Sequence, residues 1–136
     1  MKSFIIIATI FIISCSQYKK SLGNKNTELY RISRLDSINS YYLIYATKKD
    51  STYKIVSKKS YAKNCSEIKI GSDYQLHLKS MRDNAPTING IRMSPINYLD
   101  IKCYQFDETT QICKEDGIYD LYFTDDIKGK CLVTRR

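Results

Sequence analysis

The sequence predicts a mostly β protein, a small antiparallel sandwich or barrel of about six short strands tied together by disulfides. Three observations carry this. Short runs rich in Ile, Val, Tyr and Thr recur along the chain, separated by turn residues, and their apolar positions repeat with period two rather than 3.6. Four cysteines fall downstream of residue 60, the even number that two bridges need. The 136 residues contain 43% hydrophobic and 26% charged residues with only two prolines, a composition that excludes disordered, collagen-like and multi-domain chains.

The elements follow in order. Residues 27–40 carry Leu29, Ile32, Leu35 and Ile38 every three residues, as a short helix capped by Thr27 would, yet Tyr30 and Ile32 suit a strand, and strand is the preferred reading. Residues 41–46 are aromatic or aliphatic on both alternating faces, which marks a central strand. Lys48-Lys49-Asp50-Ser51 turns the chain and 52–57 returns, so a hairpin is expected. A second pair is expected from 68–70 and 74–79 about the turn Gly71-Ser72-Asp73. Residues 80–97 hold Pro86 and Pro95 with Asn84, Asn89 and Gly90 and read as a long loop. Strand character resumes at 98–104, breaks over 107–117, resumes at 118–123, and after a turn at 124–129 ends in a strand over 130–134.

The N-terminus has a separate logic. Lys2 precedes the ten-residue apolar run 4–13, which closes on Ser14 before Cys15. As a helix that run would be about 15 Å long, half of a hydrocarbon core of about 30 Å, and it offers no amphipathic face to pack. It reads as an export signal over 1–14. Ile12-Ile13-Ser14-Cys15 resembles the lipobox of bacterial lipoproteins, with Ile12 standing where that family usually has Leu. The resemblance covers residues 1–15 only. It implies lipidation of Cys15, localisation to the cell envelope as a lipid-anchored membrane protein, and no particular fold. The competing reading is ordinary cleavage after Ser16, which would make a secreted protein. Residues 15–26, polar and holding Lys19, Lys20 and Lys25, read as a flexible tether, with 27–136 as a single β-rich domain.

Either processing route leaves Cys65, Cys103, Cys113 and Cys131. Four cysteines allow three connectivities. A local Cys103–Cys113 bridge with a long-range Cys65–Cys131 bridge, tying the last strand to the middle of the chain, is favoured. A zinc site is disfavoured, because no Cys-x-x-Cys occurs and His77 is the only histidine.

Catalytic parts are scarce. By alternation His77 falls opposite Leu76 and Leu78, on the polar face, as an exposed surface histidine. No serine sits in a nucleophile-elbow pattern, and the pairs Asp107-Glu108, Glu115-Asp116 and Asp125-Asp126 fall in turns without the alternating ligands of a calcium loop. No catalytic residue, metal site or cofactor is therefore expected. Asn64-Cys65-Ser66 matches a glycosylation acceptor, relevant only to a eukaryotic source.

The formal charge is +8, or +7 once Lys2 is removed with the signal. Lysines concentrate on the first hairpin and its exit, interleaved with tyrosines. Tyr42, Tyr45, Tyr53, Lys54, Lys58 and Lys59 are accordingly the candidate binding residues, with the 80–97 loop as second choice. Lysine and aromatic interleaving would suit nucleic acid in a cytosolic protein, but export speaks against that. The expected partners are the membrane, through the lipid anchor, and a protein or glycan of acidic character. The functional expectation is a non-enzymatic envelope-anchored binding module, in one version an immunity or inhibitor lipoprotein. The alternatives are a structural envelope lipoprotein without discrete ligand and a free secreted effector.

Overall fold

The computed structural model describes residues 28–61, 65–84, 87–88, 91–92 and 101–133. The export signal, Cys15 and the tether lie outside the described residues, as do much of the 80–97 loop and positions 98–100.

The fold is mostly β. Among the described residues its strands are β1 (Glu28–Ile38), β2 (Tyr41–Lys48), β3 (Ser51–Lys58), β4 (Ser66–Glu67), β5 (Asp73–Leu76), β6 (Lys79–Ser80), β7 (Thr87–Ile88), β8 (Ile91–Arg92), β9 (Cys103–Asp107), β10 (Thr110–Cys113), β11 (Leu121–Phe123), β12 (Ile127–Lys128) and β13 (Cys131–Leu132), with a 3-10 turn over Met81–Asn84. One six-stranded sheet runs in the order β5-β1-β2-β3-β11-β6. All its neighbours pair antiparallel except β3 and β11, which run parallel. Short ribbons, β9–β10 and β12–β13–β4, complete the main body.

β1 is a strand, and its three-residue spacing has a structural cause. Ile32 pairs with Ala46 and Arg34 with Tyr45, so Ser33 is an extra residue, a bulge whose hydroxyl donates to the Tyr45 carbonyl at 3.1 Å. The bulge converts a spacing of two into three. Tyr30, Ile32 and Leu35 therefore all pack into one core, although a regular strand would send Leu35 to the opposite face.

The hairpin β2–β3 forms as expected, with Leu43 opposite Val56 and Ile44 opposite Ile55. Both faces of β2 are covered. Ile44 and Ala46 meet Ile55, Ile68, Leu76 and Ile127 beneath the β12–β13–β4 ribbon. On the other side Tyr41, Leu43 and Tyr45 meet Val56, Ile112 and Leu121 beneath the β9–β10 ribbon, with Tyr104 and Phe106 packed alongside. The alternation of apolar side chains on both faces thus reports two cores rather than one.

Two strand assignments need correction. Residues 68–70 form no strand; β5 pairs instead with β1, Tyr74 opposite Tyr30, and the Gly71 and Ser72 backbone bonds to Ile32 on the same edge of β1, the one turned away from β2. The break expected over 107–117 contains β10, which returns on β9 after the Glu108–Thr109 turn. Asp107 fixes that turn by accepting from the Thr109 amide at 3.0 Å and its hydroxyl at 3.1 Å.

Both disulfides join the favoured partners. Cys103 and Cys113 face each other across β9 and β10, ten residues apart in sequence. Cys65 and Cys131, 66 residues apart, fasten the last ribbon to the chain just before β4.

Candidate functional site

Strand pleating divides the six candidate residues into three environments. In the β2–β3 register Tyr45 stands opposite Lys54 and Tyr42 opposite Ser57, so Tyr45 and Lys54 share one face while Tyr42 and Tyr53 share the other.

Tyr45 and Lys54 are each only 4% exposed, a correction to their reading as available contact residues. The β9–β10 ribbon and the segment after it cover them. The Lys54 ammonium donates to the Cys113 carbonyl at 2.9 Å and to Glu115 Oε1 at 2.7 Å, and the Tyr45 hydroxyl donates to the same oxygen. Arg34 donates to Glu115 Oε2 at 3.1 Å while its guanidinium stacks 3.7 Å from the Tyr45 ring centroid. The Lys54 ammonium beside it, then the Tyr45 hydroxyl, pull the Glu115 carboxyl down to about 2. A cavity of about 490 Å³ opens here, bordered also by Asp50, Thr52 and Asp116. Each of these four side chains has its charge or hydroxyl answered within the network, which makes it a clamp between β2, β3 and the Cys113–Glu115 segment.

Tyr53 is half-buried in a row of edge-on rings, 5.1 Å from Tyr30 on one side and 5.1 Å from Tyr122 on the other. Burial, with Glu28 next to it, raises the Tyr30 hydroxyl well above the usual phenol range. This row is core packing.

Tyr42, Lys58 and Lys59 remain together, at the end of the sheet marked by the β1–β2 turn. The structure adds four neighbours that are not among the six candidates, Ser60, Tyr61, Lys128 and Lys130, of which Tyr61 already belongs to the lysine- and tyrosine-rich stretch of the sequence. Two depressions lie on either side of Ser60. One, of about 290 Å³, is bordered by Lys58, Lys59, Thr124, Lys128 and Gly129. The other, of about 280 Å³, is bordered by Tyr42, Tyr61, Glu67, Lys130 and the Cys65–Cys131 bridge. Ammonium groups of Lys59 and Lys130 each lie 5.4 Å from the Tyr42 ring centroid, and Tyr61 is 91% exposed. Lys130 pairs with Glu67, whereas among the described residues Lys58, Lys59 and Lys128 form no ion pair. Lys128 and Lys130 come from the β12–β13 hairpin, about 70 positions along the chain. Only the fold brings them here, so no local pattern could have flagged them.

His77 does not stand free on a polar face. Its ring Nδ1 lies 3.1 Å from Asp126 Oδ2, its amide donates to the same oxygen, and the Thr124 hydroxyl donates there too. The cavity beside it is lined by Asp73, Tyr74, Gln75, Leu132 and Val133, with no serine or cysteine among the described lining residues. Asp120, fully buried, accepts from Tyr104 at 2.7 Å, from the Arg82 amide at 3.2 Å and from Ser80. Both aspartates organise loops. Among the described residues no group of three or more His, Cys, Asp or Glu could hold a metal ion, and no described helix is long and apolar enough to cross a membrane.

No family model, curated protein or solved structure matches the chain.

Proposed function

We propose that the chain is a non-enzymatic binding module held at a bacterial cell envelope through lipidated Cys15, and that the end of the sheet bearing Tyr42, Tyr61, Lys58, Lys59 and Lys128 is its contact surface. One observation carries this reading. Lys58, Lys59 and Lys128, all exposed and without an ion-pair partner among the described residues, converge from the end of β3 and from β12 on the rim of one depression, whereas Lys49, Lys69, Lys102 and Lys114, which also have no such partner, border neither depression. Like charges gathered without a counter-charge oppose folding by mutual repulsion, and a binding partner supplies what the fold withholds. Exposed tyrosine beside them adds a large rigid contact at low entropic cost. An immunity or inhibitor lipoprotein is the most concrete version of this reading. A structural envelope lipoprotein without discrete ligand is its main rival.

A photoreactive residue in place of Tyr61, in full-length protein in intact cells, decides between them. A discrete adduct with another molecule is expected. Adducts only between copies of the chain would favour the structural rival and overturn the proposal.

A further inference from the structure

We infer that the partner at this surface is the acidic face of a soluble protein, met on the side of the domain turned away from the membrane; this rests on the binding-module reading above. The position of the surface comes from strand direction. The described chain begins at Glu28, whose carboxylate pairs with Lys48 beside the Lys49–Asp50 turn. Tyr42, Lys58 and Lys59 lie at the other end of the β2–β3 hairpin, where the Lys59 amide donates to the Ser40 carbonyl at 2.7 Å. Eight-residue strands separate the two ends by about 23 Å. A tether from Cys15 therefore meets the domain at one end and the lysines project from the other.

The chemistry of the surface selects among anions. Among the described residues its cations are all lysines, compact point charges suited to scattered carboxylates, whereas planar bidentate recognition of phosphate or sulfate favours arginine. Three arginines are engaged elsewhere: Arg31 pairs with Asp73, Arg34 with Glu115, and Arg82 sits over Tyr119. The relief is also specific. Gly129 holds the β12–β13 turn so close to Ser60 that a Cβ there would lie 2.9 Å from the Ser60 carbonyl oxygen, and the resulting ridge separates two depressions of about 290 and 280 Å³. Two side-chain-sized hollows beside a ridge, rimmed by lysine, fit separate side chains of a polypeptide. A glycan chain calls for one continuous groove.

The test uses the mature lipidated protein in neutral phosphatidylcholine nanodiscs, with polyglutamate, polygalacturonate and phosphatidylglycerol vesicles as probes. Polyglutamate should bind best. The Lys58→Glu, Lys59→Glu, Lys128→Glu variant should bind it about tenfold more weakly and with a flatter salt dependence. Reversing Lys49, Lys102 and Lys114, which border neither depression, should change affinity by less than about twofold. Polygalacturonate or vesicles binding more tightly than polyglutamate, through the same three lysines, would overturn the acidic-protein assignment while the surface kept its role. Binding of every probe that ignores the three lysines would overturn both.

Discussion

Lys54 and Glu115 form an ion pair of unequal depth: the lysine side chain is 5% exposed, the glutamate 44%, and 2.7 Å separates ammonium from carboxylate. The lysine, taken out of water between β2 and β11, depends on the glutamate more than the glutamate depends on it. Glu115→Gln keeps an acceptor oxygen but removes the charge, and should cost about 1–3 kcal/mol by urea denaturation. Adding Lys54→Met removes the stranded ammonium and should recover at least part of that loss. If the single change leaves the midpoint where it was, the clamp is decorative.

The same pair gives the protein an acid limit. Glu115 ionises at about 2 in the fold against 4.5 without its partners, so the carboxyl releases its proton more readily folded than unfolded. Its contribution is therefore complete above about pH 4.5 and disappears as the pH falls through about 2. Thermal unfolding of wild type should show a steeper loss across that window than Glu115→Gln. Parallel pH profiles for the two proteins would remove Glu115 as the cause.

Both disulfides should survive in the purified protein as oxidised bonds, with no alkylation of Cys65, Cys103, Cys113 or Cys131 after denaturation without reductant. Removing either costs about 2–5 kcal/mol, and the chain-entropy argument ranks Cys65–Cys131 above Cys103–Cys113, since its loop spans 66 residues against ten. A larger loss from the shorter loop would mean that the β9–β10 ribbon depends on its bridge for local structure.

Cys15→Ser should move the protein from the membrane fraction to the soluble one. A wild-type mature N-terminus at Gln17, unmodified by mass spectrometry, would instead establish cleavage after Ser16 and a secreted protein.

How much of this was legible beforehand varies with the range of the interaction involved. Local alternation found the β2–β3 hairpin, whose partners lie within a few residues of one turn. The bulge at Ser33 is what makes β1 resemble a helix as well as the strand it is, because one inserted residue turns a period of two into a spacing of three. The four residues of β10 were too short to register beside the polar residues around them. The pairing of β5 with β1, and of β11 in parallel with β3, depends on which edge remains open after the hairpin forms, and no short window records that. For the site, sequence gives the lysine and tyrosine enrichment and, by alternation, puts Tyr42 and Tyr45 on opposite faces, but it does not tell which of them a second layer covers. The β9–β10 ribbon seals Tyr45, while Tyr42 stays half-buried at an accessible end.

Gly129 offers a test of the ridge that shapes the proposed surface. Its φ of +62° lies close to the left-handed minimum, whereas Gly117 at +81° lies farther from it, so backbone strain alone makes Gly129→Ala the milder change. Space argues the reverse. A Cβ at Gly117 meets nothing within 4 Å, but at Gly129 it would press on the Ser60 carbonyl oxygen at 2.9 Å and on its hydroxyl at 3.2 Å, and backbone would have to move. We expect the contact to dominate, with Gly129→Ala costing about 1–3 kcal/mol and Gly117→Ala about 1 kcal/mol. Since Ser60 borders both depressions, Gly129→Ala should also weaken polyglutamate binding although it alters no charge. Equal losses of stability at the two glycines, with unchanged binding, would show that the turn has slack against Ser60 and that the ridge does not shape recognition.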